Sequence, residues 1–133
     1  MEGIIATWTP RILSALRIIT ALLFIEHGTA KILRFPESPD IPAELPAIAL
    51  VAGVLEIFGG ALVTVGLFTR IAAFILSGEM AVAYFLAHAL NSFFPLLNHG
   101  ESAILFCFIF LYLAFAGGGE WSLDRMLRPN AKI

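Results

Sequence analysis

Four long apolar stretches dominate the chain, and each carries one glutamate: Glu26, Glu56, Glu79 and Glu101. A helix of about 20 apolar residues crosses a bilayer core, and in hydrocarbon only a helix or a closed barrel satisfies every backbone polar group. The pattern therefore predicts an all-α integral membrane four-helix bundle. A charged side chain at a helix centre costs about 3 kcal/mol or more. One acid in each helix thus points to an organised polar interior.

Composition supports a membrane chain and excludes other classes. The 133 residues are 59% hydrophobic and 14% charged, with a mean hydropathy of +0.91. Soluble domains are charged at about a quarter of their positions. With 8 basic against 10 acidic residues, a nucleic-acid partner is not expected. The single cysteine, Cys107, excludes an intrachain disulfide and the paired thiols of a CxxC oxidoreductase.

The spans are read at about residues 12–33, 46–68, 71–90 and 101–116, as one domain over 1–133. The first apolar run ends in His27, Lys31 and Arg34 without a small-x-small cleavage site, so it reads as an uncleaved span and not a signal peptide. The linker Phe35 to Leu45 holds three prolines and three acids and cannot be one helix. Only Thr69 and Arg70 are expected between spans two and three. Asn91 to Gly100 has the aromatics and proline of an interface-lying segment.

Basic residues set the expected orientation. Arg11, Arg17, Arg70, Arg125, Arg128 and Lys132 fall on one side, and Lys31 and Arg34 on the other. The positive-inside rule then puts both termini in the cytoplasm, in a cytoplasmic (inner) membrane. Arg17, in the first turns of its span, can snorkel, which would make the count five against two with the same orientation. On this orientation most of the intramembrane ionisable groups gather in the outer half.

Helical phase sorts these groups. At about 100° per residue, Arg17, Phe24, His27, Gly28 and Lys31 share one stripe. Ala49, Gly53, Glu56, Gly60 and Thr64 share another, where small residues permit close helix approach. In span three Ser77, Ala81, Tyr84 and His88 align, with Glu79 about 180° from His88 in a straight helix. Glu26 lies about 140° from Lys31. Two readings of His27, Lys31, Glu56 and Glu101 stand open: a structural ion-pair network, or a site that binds substrate or handles protons. Glu79 reads either as a protonated carboxyl bonded to a backbone carbonyl or as a functional acid. No Glu-x-x-His or His-x-x-x-His pair occurs, so no metal site is expected.

The segments LFIEHGTAKILRFP (Leu23 to Pro36), GVLEIFGGALVTVGLFTR (Gly53 to Arg70), MAVAYFLAH (Met80 to His88) and FFPLLNHGESAILFCFIFLYLAFAGGGEWSLD (Phe93 to Asp124) together resemble the DoxX family of small bacterial and archaeal membrane proteins. That family's HG-x-x-K falls on His27, Gly28 and Lys31, and its G-x-x-E on Gly53 and Glu56. Its third-helix histidine falls on His88, and its N-x-G-E on Asn98, Gly100 and Glu101. His99 stands where relatives often have glycine, and GGGEW replaces a commoner GPGPW.

Residues and resemblance together give His27, Lys31, Glu56, His88, Asn98 and Glu101 as ligand-binding or proton-handling candidates. Arg17, Glu26, Glu79 and Tyr84 are secondary candidates. The resemblance implies a membrane component of a redox system, with a quinone as ligand and a redox-enzyme partner, since the chain has no electron-carrying motif of its own. A small-solute binder or transporter and a scaffold for oxidoreductases are the competing readings. Four short helices around this many charges would also gain from a homo-oligomer surface.

Overall fold

A computed structural model describes residues 1–129. Lys132, one of the basic residues counted toward orientation, lies outside the described residues. Among them the chain is helical without strands: α1 (Glu2–Leu33), α2 (Ala47–Val65), α3 (Thr69–Ala83), α4 (Pro95–Asn98), α5 (Glu101–Ala116) and α6 (Leu123–Leu127). A π-helical turn, Tyr84–His88, prolongs α3. Helices α1 to α3 are long and apolar enough to cross a membrane, counting the π turn with α3. α5 is a shorter apolar helix of 16 residues.

The distribution of side chains is that of a membrane protein. Phe58, Phe74, Phe108 and Phe115 are all more than 60% exposed, while Arg17, Glu56 and Asn98 are at most 2% exposed. Water would favour the reverse arrangement. Hydrocarbon around the bundle accepts the phenyl rings and drives the charges inward.

α1 packs chiefly on α2, and α3 on α5, with α2 against α3 closing the bundle. The first interface depends on closely packed glycines, among them Gly28 and Gly53. A Cβ on Gly28 would sit 2.8 Å from the Gly53 carbonyl oxygen and 2.9 Å from Glu56 Cβ, and one on Gly53 would sit 2.9 Å from Ile32 Cγ1. The backbones meet because neither residue has a side chain. The small-residue seam read from phase in α2 is this contact.

Three local features differ from the expected layout. α1 begins ten residues ahead of the expected first span, running through Pro10. Proline forfeits one backbone bond in mid-helix, but the Pro10 carbonyl still accepts from Ser14 Oγ and from the Glu120 N–H. The turn between α2 and α3 is Gly66 to Phe68. Gly66 adopts φ 72° and ends α2, so Thr69 and Arg70 already form the first turn of α3. Between α4 and α5, His99 sits at φ 57°. That left-handed conformation suits glycine better than histidine.

Arg17 does not snorkel. It is fully buried, and its guanidinium donates to the carbonyls of Gly118 (2.8 Å), Trp121 (2.7 Å), Val63 and Thr64. Val63 and Thr64 belong to the last turn of α2, whose orphan carbonyls form the negative end of the helix dipole. Arg17 thus ties α1 to the end of α2 and to the loop after α5. Nearby, Arg11 pairs with Glu120 at 3.1 Å, and Trp121 N–H donates to Ser14 Oγ at 2.9 Å. The C-terminal segment is thereby fixed beside residues 10–17 of α1.

Candidate functional site

The polar groups at the other end of α1 converge on one cavity. His27 and Lys31 lie four residues apart on α1, hence on one face. Glu56 faces them from the α2 seam, where the glycine contact brings the helices together. Lys31 Nζ stands 2.6 Å from Glu56 Oε1. The Glu56 side chain is 1% exposed and that of Lys31 24%. Glu56 Oε2 is also buried but has no hydrogen-bond partner among the described residues. One carboxylate oxygen is neutralised, and the other remains free to accept.

His88 is carried to the same place by the π turn. The Ala89 N–H donates to the Tyr84 carbonyl at 2.9 Å, a five-residue step that widens the helix locally. Fewer degrees per residue separate Glu79 from His88 than a straight helix would impose. Glu79 does not line the cavity. Both its carboxyl oxygens are buried without hydrogen-bond partners among the described residues.

The cavity has a volume of ≈ 320 Å³ and is bordered by His27, Lys31, Glu56 and His88 together with Asp40 and Ser102. Apolar side chains complete it, among them Phe106, Met80, Ile41 and Leu45. Its size and mixed lining are those of a small-molecule pocket. The loop after α1 contributes Asp40, Ile41, Pro42 and Leu45, and Arg34 holds that loop by donating to the Pro42 and Ala43 carbonyls.

Both histidines are fixed in orientation and tautomer. His27 Nδ1 lies 3.0 Å from the Leu23 carbonyl oxygen, and His88 Nδ1 lies 3.0 Å from that of Asn98. A carbonyl only accepts, so each Nδ1 carries its proton. In the neutral ring Nε2 is then the free acceptor. Phe106 packs edge-on against His27, with centroids 5.5 Å apart.

The other candidates from the sequence take different places. Asn98 orders the turn before α5: its Oδ1 accepts from Gly100 N–H at 2.8 Å, and its Nδ2 donates to the Ser92 carbonyl at 2.9 Å and to Tyr84 Oη at 3.3 Å. Asn98 and Tyr84 therefore stand behind His88 and not at the cavity. Glu101 is exposed in the first turn of α5 and does not line it. Glu26 faces outward, and Arg17 serves the opposite end of the bundle. Asp40 and Ser102 were not among the sequence candidates. Asp40 lies in a loop with no periodicity to place it, and Ser102 is one step from the motif residue Glu101.

A family model described as DoxX matches residues 12–89, a stretch that contains His27, Lys31, Glu56 and His88. The match does not extend to Asn98 or Glu101. An uncharacterised protein of Haemophilus influenzae is 51% identical over 122 residues, covering 88% of this chain and 91% of its own length. An uncharacterised membrane protein of Mycobacterium tuberculosis is 28% identical over 157 residues, covering 98% and 95%. No solved structure matches. The matched stretch is more than half of the chain and carries the cavity's four titratable helix residues; the protein belongs to the DoxX family and is a membrane protein with several apolar helices.

Proposed function

We propose that the chain is the membrane component of a redox system, binding a small quinone or quinol in the cavity beside the Lys31–Glu56 pair. The observation that carries this reading is the free, buried Glu56 Oε2 at a pocket that is otherwise largely apolar. A purely structural ion pair would be expected to satisfy both carboxylate oxygens. This one leaves an acceptor beside an ammonium donor and two histidine Nε2 atoms.

The donor set suits both ligand states. Quinone carbonyls accept from Lys31 Nζ, and quinol hydroxyls donate to Glu56 Oε2 or a histidine Nε2. Oxidising a quinol releases two electrons and two protons. The protons pass to Glu56 and a histidine, and the electrons to a redox centre on a partner protein. The division of basic residues, with Arg11, Arg70, Arg125 and Arg128 at one end and Lys31 and Arg34 at the other, supports cytoplasmic termini in an inner membrane. The cavity then opens toward the outer half.

Titration of short-chain ubiquinone and menaquinone analogues against the purified protein tests the proposal. Saturable binding is expected, weakened about tenfold or more by Glu56→Gln, as when one partner is lost from a buried polar contact. Glu26→Gln, on the outward face, should leave it unchanged. Absence of saturable binding to the wild-type protein would sink the quinone reading.

A further inference from the structure

A second cavity, of ≈ 350 Å³, lies at the opposite end of the bundle and plays no part in the site above. Arg17 and Lys31 mark the two ends on α1, 14 residues apart, or about 21 Å. The α2–α3 turn, the Gly117–Gly119 loop and the segment from Ser122 to Pro129 enclose it. Three arginines line it: Arg70, Arg125 and Arg128.

The local charges are unequally committed. Arg70 Nη1 donates to the carbonyls of Ala114 and Phe115 at the end of α5. Asp124, the one acid lining the cavity, accepts the backbone N–H groups of Phe68 and Thr69, each at 2.8 Å. It therefore serves as the cap of α3. Arg125 and Arg128 make no ion pair among the described residues. The Thr69 hydroxyl borders the cavity, fully buried, and stands close enough to the Asp124 carboxylate to help hold it ionised. Among the described residues, three cations thus face a space that holds one carboxylate, already accepting from two backbone N–H groups.

The surroundings select the kind of anion. Phe68 and Ile71 line the same cavity and are 56% and 66% exposed, continuous with the apolar outer face of the bundle. The cavity lies where α2 ends, α3 begins and α5 gives way to the glycine loop, next to the exposed Trp121. Such a boundary falls at headgroup level.

We propose that this cavity binds the phosphate of an anionic lipid headgroup, with Arg125 and Arg128 as its ligands and the acyl chains lying along Phe68 and Ile71. Arginine matches phosphate oxygens with paired N–H donors. Clustered basic residues at the membrane surface favour anionic lipid in just this way.

Native mass spectrometry of the full chain, exchanged against equimolar phosphatidylglycerol and phosphatidylcholine, tests the assignment. Wild type should retain phosphatidylglycerol about thirtyfold in preference, the scale expected of two basic residues at a membrane surface. The preference should vanish in R125Q/R128Q and persist in R34Q, which removes a charge at the other end. Both arginines are exposed, and melting of the double variant in phosphatidylcholine nanodiscs verifies its fold. A third arm adds inorganic phosphate to wild type in those nanodiscs. Stabilisation by phosphate without any lipid preference would overturn the lipid source in favour of a soluble phosphate ligand. Equal retention of the two lipids with no phosphate effect, or a preference untouched in R125Q/R128Q, would overturn the site.

Discussion

Lys31 Nζ and Glu56 Oε1 meet at 2.6 Å across the α1–α2 interface, where Gly28 and Gly53 let the backbones approach. The pair joins residues 25 positions apart and leaves the second carboxylate oxygen unbonded. Its energetics distinguish a site from a brace.

Removing one partner strands the other charge. Lys31→Met and Glu56→Gln should each destabilise the protein, by about 3 kcal/mol in the manner of a broken buried pair. The double variant K31M/E56L, with matched apolar volume, should recover most of that stability. Thermal melts in detergent check both. If the pair is part of a binding site, quinone-analogue binding stays lost in the stable double variant. Recovery of both stability and binding would count against the pair as a ligand contact.

Arg17 should be the most sensitive position at the other end. Arg17→Met removes the guanidinium from four carbonyls, leaving those of Thr64 and Trp121 without a side-chain donor, and should lower stability by about 3 kcal/mol. Arg17→Lys keeps the charge but replaces a planar fork with a point donor, so it should rescue only part of the loss. The melting temperatures of the two variants, and the yield of folded protein, report the order.

His99→Gly should stabilise. The imidazole is exposed and its backbone sits at φ 57°. A side chain there costs about 1–2 kcal/mol, offset in part by the entropy glycine gives back to the unfolded chain. A net gain of about 0.5 kcal/mol is expected, seen as a higher melting temperature. A lower one would show that the imidazole makes a favourable contact.

Asp124 gives the bundle an acid-labile cap. Partial burial opposes its ionisation, but the Thr69 backbone N–H and hydroxyl and the Phe68 N–H, with Arg128 nearby, outweigh burial and hold the carboxyl below its ordinary range. The folded state then binds fewer protons than the unfolded state as pH falls. The cap's contribution is full above the ordinary Asp value of about 4 and is lost as pH drops through the lower folded value. Asp124→Asn should cost about 1 kcal/mol near neutrality, as other lost caps do, and should flatten the acid limb of a stability–pH curve. An unchanged limb in the variant would place the acid sensitivity elsewhere.

Helical periodicity made part of this legible. The stripe of His27, Gly28 and Lys31 and the seam of Gly53, Glu56 and Gly60 repeat at helical spacing, so their shared faces could be read from residue numbers. The relation of Glu79 to His88 could not, because the phase assumed a straight helix and the chain widens into a π turn at Tyr84–His88. Arg17 was misplaced for a different reason. A snorkelling arginine and a buried one have the same local sequence, and the carbonyls that hold this one lie 46 to 104 residues away.

The amino-acid sequence alone determined the solvent and the element type, since long apolar runs can bury their backbone in lipid only as helices, and it set which residues share a face. Tertiary structure decided which faces meet. It brought Lys31 onto Glu56, placed Asp40 and Ser102 beside them, put Asn98 and Tyr84 behind His88, and left Glu101 and Glu26 outside the cavity. Periodicity is a local property of one helix, whereas a pocket depends on backbone turns, glycine contacts and loop paths that join residues far apart in the chain.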